Sequence, residues 1–130
     1  MQLTENLLSL LEATSLCYLA TTMKDGSPQV TLTWVDTDGE HILINSVRTH
    51  QKVRNITRDP RVAVAISDPA KPGSYVQVRG RVLEISTDGA VDHIEKLSMK
   101  YNGAPYPWYG GREQERVILI IEPEHIYSPR

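Results

Sequence analysis

The chain reads as a mainly β protein, a small antiparallel barrel of about six strands with a few short helices. Three observations predict it. β-Type runs recur along most of the length, at Ser15 to Thr22, Val30 to Asp36, His41 to Val47, Val62 to Ser67, Tyr75 to Ile85 and Arg116 to Ile121. Turn formers separate several of them, at Lys24-Asp25-Gly26-Ser27-Pro28 and at Asp38-Gly39, where Gly tolerates positive φ and Pro presets its own. Stretches with helical spacing are few and short.

In order along the chain, Leu3, Leu7, Leu8 and Leu11 recur at helical spacing, with Thr4 placed to cap and Glu5 in the favoured first turn. The next two runs form a hairpin across the Lys24 to Pro28 turn. In the second of them Val30, Leu32 and Trp34 alternate with Thr31 and Thr33, which gives one apolar face to bury and one polar face. After the turn at Asp38-Gly39 comes His41 to Val47, then a helix of two to three turns. Thr49 is the expected cap, Val53 and Ile56 form its apolar side, and Asp59-Pro60 stops it. Two more strands flank the loop Asp68 to Gly73, with Gly80 marking a bend or bulge in the second. Val91, Ile94, Leu97, Ser98 and Tyr101 then predict a helix over Ala90 to Tyr101, capped by Thr87 or Asp88 and ended by Asn102-Gly103. The run RVILII at Arg116 to Ile121 predicts a strand buried on both faces or beneath a partner molecule, and Ile126-Tyr127 a short terminal strand.

Composition bounds the function. At 130 residues the chain is expected to be one domain, residues 1–130. With 14 Lys plus Arg against 16 Asp plus Glu it lacks the basic excess of a general nucleic-acid binder, so an anion must be gripped locally. The single Cys17 has no internal partner and suits a reducing, cytoplasmic setting. Leu7, Leu8, Leu10 and Leu11 are interrupted by Ser9 and flanked by Glu5 and Glu12, which predicts neither an export signal nor a membrane span. His41, His50, His93 and His125 have no metal-site spacing, and no metal is expected. Nor is there a Gly-x-Ser-x-Gly or Walker-type loop.

The stretch with most chemical content is Asn45 to Pro60, NSVRTHQKVRNITRDP, where a strand hands over to a helix whose first turns carry Arg48, His50 and Lys52. Helix N-terminal N–H groups lack internal acceptors, the macrodipole is positive there, and fixed cations add to the field. A phosphate is the expected guest. Arg54, Arg58 and Arg61 are expected to face water or pair with carboxylates such as Asp59.

The order TTMKDGSPQVTLTWVD, ILINSVRTHQKVRNITRDPRVAV, VQVRGRVLEI, a helix ending in KYNG, PYPW and RVILIIEPEHIY resembles the pyridoxamine 5′-phosphate oxidase-like split β-barrel proteins over nearly the whole chain. Within them it is most similar to the branch that uses the deazaflavin coenzyme F420, with FMN-binding members close by. The resemblance implies a homodimer with cofactor clefts between the two barrels. Lys52 matches the lysine used for the cofactor's phosphate-bearing tail, with Arg48 and the Thr49 hydroxyl completing the cradle. His50 departs from the arginine or small residue often found there. Asn45, Ser46, Thr31 and Thr33 are expected near the ring or ribityl chain. In the Gly- and Pro-rich segment Tyr106 to Arg112, Trp108 and Tyr109 form one wall of a substrate pocket or pack the dimer, and Trp34 is a barrel or interface aromatic.

The implied function is an F420-dependent reductase that passes hydride to a conjugated small-molecule acceptor, the final proton coming from solvent or a nearby Tyr. The alternatives are an FMN-binding flavoprotein of the oxidase type and a non-catalytic protein that binds cofactor or haem. A true pyridoxamine phosphate oxidase is disfavoured, because such enzymes end in an Arg/His-bearing motif and this chain closes with IEPEHIYSPR.

Overall fold

A single antiparallel sheet accounts for most of the molecule, and its order explains where the cleft lies. The computed structural model describes residues 1–129. Its elements are α1 (Glu5–Glu12), β1 (Leu16–Thr22), β2 (Pro28–Thr33), β3 (Asp36–Thr37), β4 (Ile42–Val47), α2 (Gln51–Arg58), β5 (Arg61–Ser67), β6 (Tyr75–Ser86), α3 (Ala90–Asn102) and β7 (Arg116–Tyr127). The seven strands run in the order β2-β1-β5-β6-β7-β4-β3. The edge strands β2 and β3 are joined by Trp34-Val35 alone, so the sheet must curl until its two ends meet. The result is the antiparallel split barrel expected, open along the seam between those ends.

The interior is filled from every side of the curl. Leu19, Ile42, Ile44, Val64, Ile66, Val78, Leu119 and Ile121 pack with Leu7 and Leu11 of α1, and this apolar burial is the main force closing the sheet. Thr4 caps α1 as expected, accepting from Leu7 N–H at 3.2 Å. At α2 the expected cap fails. His50 N–H donates to Val47 O at 2.9 Å, a turn with Arg48 and Thr49 at its corner, so His50 occupies the N-cap position and Thr49 stands one residue outside. No side chain caps this helix. The cap of α3 is likewise Gly89, at φ +71°, rather than Thr87 or Asp88.

Four strand details also differ from expectation. The run Val30 to Asp36 breaks after Thr33, and Asp36–Thr37 pairs instead with β4 on the far edge. Residues 126 and 127 are not a separate strand but the end of β7. In β7 itself Val117, Leu119 and Ile121 are buried while Ile118 and Ile120 are only half-buried, so the first of the two expectations, burial on both faces, is not met within one protomer. The alternation in β2 is inverted. Thr31 pairs with buried Leu19 and Thr33 with buried Cys17, so the threonines face inward, while Val30 and Leu32 are 61% and 58% exposed. Gly80 does sit at a register shift, and there a Cβ would come within 2.1 Å of Glu122 O.

Candidate functional site

At the seam, α2 and α3 flank a cleft of about 430 Å3. Its wall is built from Leu32, Thr33 and Trp34 at the end of β2, Asn45 and Ser46 on β4, and His50 and Lys52 at the start of α2. Tyr101 of α3, Tyr106 and Tyr109 of the loop after it, Arg116 at the start of β7 and Thr14 to Leu16 complete the lining. A wider depression of about 810 Å3 beside α1 shares Thr14 and Ser15 with this cleft, but it gathers a single cation, Lys71, with Asp68 beside it. The chemistry converges on the seam.

Three basic side chains line the cleft and no carboxylate does, among the described residues. Among the described residues Lys52 has no side-chain hydrogen bond or ion pair; burial first, then Arg116, pull its pKa below the usual lysine value. Arg116 is 8% exposed. Its Nε donates to Asn45 Oδ1 at 2.9 Å and Nη1 to the Tyr106 hydroxyl at 3.4 Å, with the guanidinium 5.3 Å from the Tyr106 ring centre. It too forms no ion pair among the described residues, and burial lowers its pKa. His50 lies 3.4 Å from Ser46 Oγ through Nδ1, and its pKa falls through burial, then Lys52, then Arg116. A buried cation without counter-charge is costly, so such a cluster is a strong sign of an anionic guest. The uncapped first-turn N–H groups of α2 add to the same field.

The helix that carries Lys52 is locked in place from beneath. Asn55, fully buried, donates through Nδ2 to Thr21 Oγ1 at 3.0 Å and Gln29 Oε1 at 3.2 Å, and accepts through Oδ1 from Gln51 Nε2 at 2.8 Å. These bonds tie α2 to the β1–β2 hairpin. Behind Lys52 lies Cys17, buried, its thiol pushed up to about 11 by burial.

Away from the cations the wall is aromatic. Trp34 stacks on Tyr101 at 5.3 Å and 10°, and Tyr106 meets the Trp34 edge at 6.4 Å and 79°. Tyr109 extends the cluster, 5.7 Å from Tyr106, although it is itself 77% exposed. Such a wall offers planar π surface at low entropic cost. The Tyr101 hydroxyl is committed: it donates to Ser15 O at 2.8 Å, accepts from Val35 N–H at 3.2 Å, and is pushed up to about 12 by burial.

Of the residues singled out by sequence, the structure brings Lys52, Asn45, Ser46, Thr33 and Tyr109 together in the cleft. Others lie elsewhere. Arg48 turns to Glu115, Nε to Oε1 at 2.9 Å, and Thr49 is exposed outside the lining. Thr31 is off the lining, with its hydroxyl buried and without a partner among the described residues. Trp108, at φ +56°, donates through Nε1 to Glu95 Oε2 at 2.9 Å, and that turn of the loop leaves Tyr106 facing the cleft. Sequence reasoning passed over Arg116, Tyr106 and Tyr101, and left Trp34 as a generic aromatic. The available signal for Arg116 was a lone cation opening an apolar strand.

The fold has relatives. The pyridoxamine 5′-phosphate oxidase family model matches residues 3–128. The chain belongs to that family. A member of known structure described as an F420 reductase is 34% identical, with a TM-score of 0.84 over 96% of this chain and 98% of that one. A conserved hypothetical protein of Mycobacterium tuberculosis, Rv2991, is 26% identical with a TM-score of 0.76, covering 97% of this chain and 84% of the other. A putative pyridoxamine 5′-phosphate oxidase from Listeria innocua shares the fold at 22% identity and a TM-score of 0.70, with 94% of each chain covered. No curated protein sequence matches the chain. Among the described residues no helix is long and apolar enough to cross a membrane, and no three His, Cys, Asp or Glu side chains are grouped to hold a metal.

Proposed function

We propose that the chain is a flavin- or deazaflavin-dependent oxidoreductase, a coenzyme F420-dependent reductase that passes hydride to a conjugated, planar small-molecule acceptor. The observation that carries it is the convergence of Lys52, Arg116 and His50 on one cleft that has an aromatic wall and, among the described residues, no carboxylate. The residues fit a phosphate-bearing ring cofactor, because buried Arg116 and half-buried Lys52 lack any other counter-charge among the described residues. Lys52, Arg116, His50 and the start of α2 would hold the charged tail, and Asn45, Ser46 and Thr33 are the polar groups nearest to it on the β side. The likeness to a described F420 reductase favours the deazaflavin over FMN. When bound and reduced, such a cofactor supplies the hydride. The protein's part is to orient the acceptor against the aromatic wall and keep water out. Of the tyrosines, Tyr101 already donates its hydroxyl hydrogen bond to Ser15 O, whereas Tyr106 accepts from Arg116 and its own O–H is left to donate.

A homodimer belongs to the same proposal. Tyr18, Val30 and Leu32 form an apolar stripe on the outer face of the hairpin, 44%, 61% and 58% exposed, and such surface normally marks an interaction site. A second copy seated there would also close the seam from outside.

The test is to titrate purified protein with F420 and with FMN in parallel, following fluorescence, and then to add enones and quinones to the reduced complex. Tighter binding of F420, weakened in Lys52→Met, and oxidation of the reduced coenzyme by one acceptor class are expected. Failure of both ligands to bind refutes the cofactor reading; FMN binding alone moves the function to a flavoprotein.

A further inference from the structure

We propose that Asp36 and His93 are positioning residues for Arg116, acting through the side-chain amide of Asn45. This rests on the reading of Arg116 as part of the anion grip. The geometry permits a single arrangement of donors and acceptors along the chain of contacts. Ala90 O can only accept and Arg116 Nε–H can only donate. Asn45 therefore turns its NH2 to Ala90 O, at 2.8 Å, and its Oδ1 to Arg116, at 2.9 Å. The same NH2 lies 3.2 Å from His93 Nδ1, which must accept. The proton of His93 then sits on Nε2 and is donated to Asp36 Oδ2, at 3.1 Å. His93 and Asp36 are 8% and 6% exposed, so water cannot readily substitute for these partners.

Neutral His93 with its proton on Nε2 is the form that satisfies every member. A second proton, on Nδ1, sets donor against donor at Asn45. Turning the amide over relieves that clash only by setting its oxygen against Ala90 O and its NH2 against Arg116 Nε–H. Arg116 then loses one of its two hydrogen-bond partners and with it a fixed direction. The charged groups around His93 are Asp36 from β3, Lys96 of α3 on the same Asp36 oxygen at 3.1 Å, Lys100 close to Asp36, and Arg116 from β7 behind Asn45.

Two measurements test this. Nitrogen-15 spectra of the wild-type histidines at pH 7.5 are expected to show His93 protonated at Nε2 and bare at Nδ1; a proton on Nδ1 there overturns the proposal. On acidification the Arg116 Nε–H signal should move with the same midpoint as His93, and independent midpoints refute it. The second measurement is the affinity, against pH, for whichever of F420 and FMN the wild type binds. It compares His50→Gln with the double variant His50→Gln/His93→Gln, so that the His50 and ligand titrations cancel. The single variant should lose about fivefold to tenfold more affinity across the His93 transition, the effect expected of loosening one charged hydrogen bond. Identical profiles overturn the positioning role. If the double variant does not fold, the wild-type spectra decide. Coupled midpoints without binding of either ligand would leave the positioning intact and remove the cofactor reading.

Discussion

Replacing Lys52 by Met removes the charge while keeping most of the stem, and two opposite effects are expected. In the free protein the ammonium is half-buried, has no acceptor among the described residues, and is pushed toward deprotonation by burial and by Arg116. It therefore destabilises the fold that holds it. Removing such a group at a functional site typically returns about 0.5–1 kcal/mol, and for a chain of this size that is a rise in Tm of roughly 2–6 °C. In the complex the same ammonium meets the anionic tail, where a charge-assisted hydrogen bond contributes about 1.5–3 kcal/mol, or roughly ten- to a hundredfold in affinity. Calorimetric melting of the free protein and fluorescence titration with F420 read the two arms separately. A variant that melts lower and binds as tightly as the wild type would refute the argument, because Lys52 would then be a structural cation. Loss of binding with a large loss of stability would show only that the site had collapsed.

Other outcomes follow from the same contacts. His50 has a folded pKa below its unfolded value, so its contribution to stability is fully present above the unfolded value of about 6.5 and is lost as pH falls from there through the lower folded value; an anionic guest should reverse the shift, and calorimetric binding near neutrality in buffers of different ionisation enthalpy should reveal proton uptake that His50→Gln removes. Asn55→Leu removes the Nδ2 donor shared by Thr21 and Gln29, which keep only their own 3.3 Å bond, and should cost about 1–3 kcal/mol in urea unfolding; a cost under about 0.5 kcal/mol would mean α2 is held otherwise. Gly80→Ala drives a methyl into Glu122 O, whose backbone cannot yield without disturbing the β6–β7 register, and should cost at least about 1–3 kcal/mol by the same assay. Leu32→Lys, at a side chain more than half exposed in one protomer, should leave the monomer fold intact by circular dichroism and shift the sedimentation coefficient from dimer to monomer. A wild-type protein that sediments as a monomer sinks the dimer proposal outright.

Lys52 was legible because its neighbours in sequence are its neighbours in space. A strand end, a turn and a first helical turn all lie within Asn45 to Arg58, so local rules place the cation at the helix start. The same rules misplaced Thr49 and Arg48, since the turn closed by His50 N–H to Val47 O moves the cap by one residue and swings Arg48 toward Glu115. Arg116 was illegible for the converse reason. It opens an apolar strand, and only the pairing of β7 with β4 sets it beside Asn45. Its suitability for the proposed anion comes from lacking a carboxylate partner among the described residues, which is a property of three-dimensional surroundings.

The inverted faces of β2 show the limit most clearly. Alternation in sequence fixes that Val30 and Leu32 share one side and Thr31 and Thr33 the other, but a strand pattern is unchanged when the two faces are exchanged. The sign comes from the ladder. Cys17 and Leu19 point into the core, their partners Thr33 and Thr31 must follow, and the apolar side chains are left outside. Hydrophobicity alone argues for the opposite choice, and in an isolated barrel that choice would hide more apolar surface. The sequence pattern and the ladder are reconciled if a second copy buries the outer face of the hairpin, so the reversed alternation of β2, more than any property of the cleft, is what the proposed homodimer rests on.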